Sequence, residues 1–247
     1  MIYVESAESE KLYRELEDLG DRLKVPIPQC FLQLRVTDRT GKIAHHTKQR
    51  SHSWTRNAYN LIASYLLGIN AVGSWGDGTG TPIKITSGSV ISGATLAALC
   101  RATITASGYS EDPQDVGKAY IAASGDINHG IVAGIGPGAE SFDDYAMSSI
   151  CAEGSSANQL HYVLEEQPVL SWDAGTRTLT ITHKRYMNNN SSAMITITEI
   201  GIIANGAVAG GSGRKFMTAR DVLSPSVEVP PSGQILASYI LSLVYPS

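Results

Sequence analysis

Residues 176–204 read TRTLTITHKRYMNNNSSAMITITEIGIIA. In the first part Leu179 and Ile181 point one way and Thr178, Thr180 and Thr182 the other, the pattern of a half-buried strand. NNNSSA supplies residues that tolerate positive φ and hydrogen-bond their own backbone, so it reads as a hairpin loop. In the return strand Ile195 and Ile197 share one face. Ile200 and Ile202 then continue on the other parity. A slip of one residue turns every later side chain over unless an extra residue absorbs it, so a bulge is predicted near Thr198 and Glu199.

Working outward, the chain from about residue 118 is strand-like almost without interruption. KAYIAAS, IVAGIG, QLHYVLEE, KFMTARDV, SVEV and QILASYILSLVY are the further candidates, separated by GPGAES, WDAGT, NGAVAGGSG and PPSG. The last strand is apolar on both parities, which predicts a central position covered on both faces. Upstream, FLQLRVT (31–37) reads as a strand and DRTGK (38–42) as a turn. HHTKQRSHS (45–53) reads as a polar, basic loop, and 72–93 as a glycine-rich loop with one short strand at IKIT. Short strands with few helices predict a mainly β fold, an antiparallel sandwich of jelly-roll-like type, with the choice against an immunoglobulin-like topology open.

Two helices interrupt this pattern. In residues 6–24, Leu12, Leu16, Leu19 and Leu23 recur on one helical face, and Glu10 and Arg14 are placed to pair across one turn. Gly20 is expected to weaken this helix or end it early. The stripe fits a helix lying on its own domain; the sharper reading is an arm that docks on a partner or coils with copies of itself. Two heptads are too few to hold a coiled coil alone. In residues 53–68, Trp54, Ala58, Leu61, Ile62, Tyr65 and Leu66 form a stripe that should pack on the sheet, with Ser53 as N-cap and Gly68 as stop. The expected organisation is a helical arm at 1–28 and a β-sandwich domain at 29–247 that includes the second helix.

The chain has 247 residues, of which 43 % are hydrophobic and 17 % charged. The charged share lies below the usual figure of about 25 %, which suits a surface partly covered by other subunits. The net charge of −4 argues against a nucleic-acid binder, which would carry a basic balance or patch. Cys30, Cys100 and Cys151 are odd in number and widely spaced, so buried free thiols are expected. The N-terminal stretch is charged rather than apolar, and no run approaches the roughly 20 apolar residues of a membrane span. Synthesis and folding in a cytoplasm without membrane insertion are expected.

No catalytic signature is present. There is no GxxxxGK[ST] and no GxSxG, and GIGPG (134–138) reads as a tight turn. His45, His46 and His52 cluster without a nearby Cys or carboxylate, so no metal is expected. No cofactor is expected either. Asp143 and Asp144 are adjacent, a poor arrangement for two carboxylates that must face each other across a cleft. Lys48, Arg50 and Arg56 are the cations expected to meet an acidic surface on a partner. Of Trp54, Trp75 and Trp172, Trp54 reads as core, and Trp75 in its glycine-rich loop is the one expected to touch a glycan.

The block from 130 to 246 resembles a group of structural proteins of tailed bacteriophages. It carries, in order, a G-x-G strand end (Gly134, Gly136), the acidic DDYAM (143–147), R-x-x-x-N-N-S (Arg185 to Ser191), ITITEIGI (195–202), ARD (219–221) and a Pro/Gly turn into a long final strand. Ile202 stands where the pattern has leucine. SHSWTRNAYNLIASYLLG also resembles the helix that precedes this block in such proteins. The resemblance implies a non-enzymatic virion component that is β-rich and assembles with itself as a trimer or higher ring. It also implies contacts with other virion proteins at a tail, adaptor or capsid surface. The alternative is a receptor- or carbohydrate-binding module at a fibre tip, with a host surface glycan as ligand. On this reading Leu12, Leu16, Leu19, Lys48 and Arg50 contact partners and Trp75 contacts a glycan. No catalytic residues are transferred.

Overall fold

The structure is a computed structural model that describes residues 1–3, 6–51, 53–67, 73–76, 79–91, 119–208 and 211–245. In chain order the elements are β1 (Ile2–Tyr3), α1 (Ala7–Leu23), β2 (Pro28–Thr37), β3 (Ile43–Arg50), α2 (Arg56–Leu67), β4 (Gly73–Ser74) and β5 (Thr79–Gly80). Then come β6 (Ile83–Lys84), β7 (Val90–Ile91), β8 (Gly130–Gly134), β9 (Ala152–Glu153), β10 (Gln159–Tyr162) and β11 (Val169–Asp173). The chain closes with β12 (Thr178–Asn188), β13 (Ile195–Val208), β14 (Gly211–Val229) and β15 (Gln234–Val244).

Two sheets pack face to face. The first runs β1-β3-β2-β15-β12-β10-β9, with β11 also paired to β12; the second is β14-β13-β8. Most of the pairs are antiparallel, while β1 with β3 and β10 with β9 are parallel. Between the sheets lie Leu32, Leu34, Val36, Met187, Tyr162 and Ile235 from the first, and Ile131, Ile195, Ile197, Ile200 and Met217 from the second. Each fully buried side chain of this size contributes about 1.5–3 kcal/mol. A smaller core on the outer face of the second sheet joins Ala204 and Phe216 to Ile83, Ile85 and Leu61, so α2 and the β6–β7 hairpin form a further layer.

The bulge falls where the parity of the isoleucines requires it. Ile197 pairs with Val227 and Glu199 with Val222, a register shift across Thr198. The Thr198 hydroxyl donates to the Gly136 carbonyl (2.6 Å), and both halves of the strand keep their isoleucines buried. β15 is central, between β12 and β2, buried on its core side and half-buried on the other.

NNNSSA is not a hairpin loop. β12 lies in the first sheet and β13 in the second, so this turn carries the chain across the sandwich. Composition alone does not separate such an arch from a hairpin, because both need the same self-bonding residues. Residues 45–50 are strand β3 rather than a loop: their polar side chains alternate across the flank of β2. VLSWD (169–173) is a strand beyond the predicted set, while the described residues of KAYIAAS form no strand and make a bridge from Ala119 to Asn205. Ser53 does not cap α2; Trp54 first bridges to Ala219 and the helix starts at Arg56. Gly68, Cys100 and His52 lie outside the described residues.

α1 is capped by Ser6, whose hydroxyl accepts the Ser9 N–H (3.0 Å). The helix runs through Gly20, where a Cβ would collide with the Ile27 side chain, so the glycine serves close packing instead of stopping the helix. α1 docks on the first sheet through the Arg50 guanidinium, which pairs with both oxygens of Glu10 (3.1 and 3.2 Å) and with Glu17 (3.1 Å). The Tyr13 ring lies 4.1 Å from that guanidinium. Arg50 pairs with Phe31, one residue out of phase with buried Leu32, so α1 covers the face turned away from the second sheet.

Candidate functional site

The motif residues meet in two buried polar clusters. At one end of the second sheet Glu199, with 0 % exposure, accepts the Nε–H of Arg220 (2.6 Å) and the Ser149 N–H (3.0 Å). Arg220 also donates to Asp144 (2.7 Å) and to the carbonyls of Ala139 and Gly138 (2.8 Å each). Burial alone would lower the Arg220 pKa, but the carboxylates of Asp144 and Glu199 outweigh it and raise it. Glycine is required at 134 because a Cβ there would strike the Glu199 carboxylate, and at 136 because it would strike Ser148. Asp221 points the other way and accepts the hydroxyls of Ser51 and Tyr239 (2.8 Å each).

The second cluster is built on Arg185, which is also 0 % exposed. Its guanidinium donates to five backbone carbonyls: Val163 (3.0 Å), His129 (3.3 Å), Ile131 (3.0 Å), Ala123 (3.0 Å) and Asp126 (2.6 Å). That matches the five N–H donors an arginine carries. Nearby Glu165 accepts the Ile131 N–H (3.1 Å); burial pushes its carboxyl up to about 8, against the pull of Arg185. Four residues on from Arg185, buried Asn189 holds the arch. Its Nδ2 lies 2.8, 2.9 and 3.0 Å from the carbonyl oxygens of Ala193, Val229 and Pro230, and its Oδ1 accepts from Ser191. One side chain thus ties the arch from β12 to β13 to the turn from β14 back to β15.

A third cluster lies at the surface beside the start of α2. The Arg56 guanidinium sits 5.2 Å from the Trp75 ring and 5.5 Å from the Phe142 ring, and pairs with Asp143 (2.9 Å). Tyr59 lies 5.7 Å from Phe142, and these two rings are 53 % and 52 % exposed. Lys84 caps Tyr145 at 3.8 Å. The arrangement is a cationic, aromatic surface suited to stacking and hydrogen bonding.

The structure therefore brings Trp75, Arg56 and Asp143 together and separates Asp143 from Asp144, each paired to a different arginine. Lys48 lies 4.0 Å from the Phe31 ring. Arg50 is buried against α1 and matched within its own chain. Leu12, Leu16 and Leu19 are exposed, as are Leu23 and Val25. The docked face of α1 carries Glu10, Tyr13 and Glu17, and the leucines lie about 125° round from it at 100° per residue. His45 and His46 point to opposite faces of β3 and bond Thr47 and Gln33. Among the described residues no three His, Cys, Asp or Glu are grouped to hold a metal ion. Burial pushes the thiols of Cys30 and Cys151 up to about 12 and about 11, so both are unreactive near neutral pH.

Sequence reasoning passed over Tyr59 and Phe142 as surface rings and Leu170 on β11, and set Trp172 aside in favour of Trp75. Tyr59 could have been found by its place off the apolar stripe of α2. Comparison with family models, with curated proteins and with solved structures finds no match.

Proposed function

We propose that the chain is a non-enzymatic structural subunit of a tailed-bacteriophage virion, assembling with copies of itself and with other virion proteins. One observation carries this reading: the residues of the phage-like motifs, Glu199, Arg220, Asp144, Arg185 and Asn189, all turn inward and tie strands to loops. Side chains that look like chemistry in the sequence act as framework. Among what the chain offers outward are large apolar side chains, the leucines of α1 included. Such a surface supports association rather than turnover. Immunogold electron microscopy of phage particles from cells that make the chain tests it. Label on the capsid or the tail is expected, and its position separates a decoration subunit from a tail or fibre subunit. Unlabelled particles alongside reactive antibody in the lysate would overturn the reading.

The aromatic cluster at Arg56 favours a second reading, a receptor- or carbohydrate-binding module. Sugar rings stack on exposed aromatic faces, and Tyr59 and Phe142 present them beside a charged pair. Binding on a glycan array that disappears in Phe142→Ala and Trp75→Ala would support it. An array without signal for the wild-type chain would remove it.

A further inference from the structure

Among the described residues the edge strands of the sandwich are partly covered or carry guarding residues, and β11 is the apolar exception. β14 is met at Thr218–Arg220 by residues 53–55, through the Trp54–Ala219 bridge and the hydrogen bonds from Thr55 N–H to Thr218 O (3.1 Å) and Arg220 N–H to Ser53 O (3.1 Å). It also carries Pro225, which cannot donate to a further strand. β8 is covered by residues 149–151, through Ile135 N–H to Ser149 O (2.9 Å) and Cys151 N–H to Ala133 O (2.9 Å). β1 and β9 are only two residues long, and β1 covers β3 only at Thr47 and Lys48, but β3 is a polar strand that carries Lys48 and Arg50. β11 has five residues, VLSWD, pairs with β12 alone among the described residues, and is exposed along its whole length. It holds no proline, lysine or arginine, the usual guards of an open edge.

We infer that β11 pairs with β11 of a second copy of this chain, antiparallel and two-fold about Ser171. Three features of the strand select this occupant. First, the register is self-complementary: it sets Leu170 of each copy opposite Trp172 of the other, so the two apolar side chains (66 % and 53 % exposed) cover each other. Second, it keeps like charges apart. Asp173 falls opposite Val169 rather than opposite its twin, and its Oδ1 is already turned back to the Gly175 N–H (2.8 Å). Third, it continues an apolar row. Trp172 lies beside Leu179 and Leu179 beside Leu243; Leu170 lies beside Ile181 and Ile181 beside Leu241. Pairing joins these half-buried rows into one stripe across both copies. Tyr245, with its ring 5.2 Å from that of Trp172, closes the end of the stripe.

This inference rests on the self-assembly part of the proposed function and names its surface. A two-fold contact gives even copy numbers, whereas the resemblance implies a trimer or ring. The test is the mass of the purified full chain by light scattering on a sizing column. Wild type is expected at an even multiple of the monomer, and Leu170→Lys at half the wild-type mass or less with unchanged circular dichroism. Ser171→Cys should give a reducible dimer on mild oxidation where wild type gives none, because the axis brings the two Cα atoms within disulfide reach. An oligomer whose mass Leu170→Lys leaves unchanged would overturn the β11 contact while self-assembly stands. A wild-type monomer would overturn both.

Discussion

Arg185 and Leu170 sit on neighbouring strands of one sheet and face the same side. Leu170 is opposite Ile181 on β12, and Arg185 lies four residues further along that strand. The charged residue is 0 % exposed and the apolar one 66 %. The second sheet covers the level of Arg185 and not that of Leu170. In the covered region the charges of Arg185 and Arg220 are tolerated because their guanidinium groups donate to carbonyls and carboxylates. In the other region Leu170 and Trp172 stay exposed, and among the described residues no second layer lies over them. The polar interior thus accounts for the architecture, and the apolar margin is the surface on which the proposed self-association would draw.

The comparison breaks if the buried polar residues can be removed cheaply. Arg185→Leu is expected to have the largest effect, about 4–5 kcal/mol, because it leaves five carbonyls without their donor in a site closed to water. Urea unfolding followed by circular dichroism measures it; a loss under about 1 kcal/mol would make Arg185 incidental to the core. Glu199→Leu should cost about 3 kcal/mol, since Arg220 keeps Asp144 as a partner. The same unfolding curves rank the two.

Next in size is an effect of pH. Burial keeps Glu165 neutral in the folded chain up to about pH 8, whereas its ordinary value is 4.5. Unfolding then releases a proton, so stability falls as pH rises between these values. Burial also holds His183 down at about 4 from 6.5, and this group works in the opposite direction: its stability is present above 6.5 and lost as pH falls towards 4. The two slopes oppose each other below pH 6.5. From 6.5 to 8 the Glu165 slope stands clear of His183, up to about 1.4 kcal/mol per pH unit. Glu165→Gln should flatten the melting temperature across that window. A wild-type chain already flat there would mean that Glu165 is ionised and matched by Arg185.

The patterned parts of this fold were legible, and the parts set by remote partners were not. The parity slip at Thr198 located a bulge because a strand has a strict period of two. α1 was legible from its leucines, but which face docks was not. That is decided by Arg50, forty residues away and embedded in a run with no apolar alternation. NNNSSA identified a turn, yet its role as an arch depends on Asn189 reaching the carbonyls of Val229 and Pro230. Asp143, Arg56 and Trp75 each drew notice separately, and only the fold shows that they touch.

The smallest expected effect on stability tests the other side of the comparison. Leu12, Leu16 and Leu19 are exposed, and the contacts that hold α1 down use Glu10, Glu17 and Gly20 instead. Changing all three leucines to serine should therefore move the unfolding free energy by only about 0.5 kcal/mol, within the range of surface substitutions plus a small loss of helix propensity. If the leucine face is an assembly surface, the same variant should lose incorporation into particles, or its wild-type mass, while remaining folded. A variant that unfolds would mean the leucines support their own chain. One that folds and assembles normally would leave β11 as the apolar margin that matters, since Leu170→Lys tests that edge without touching α1.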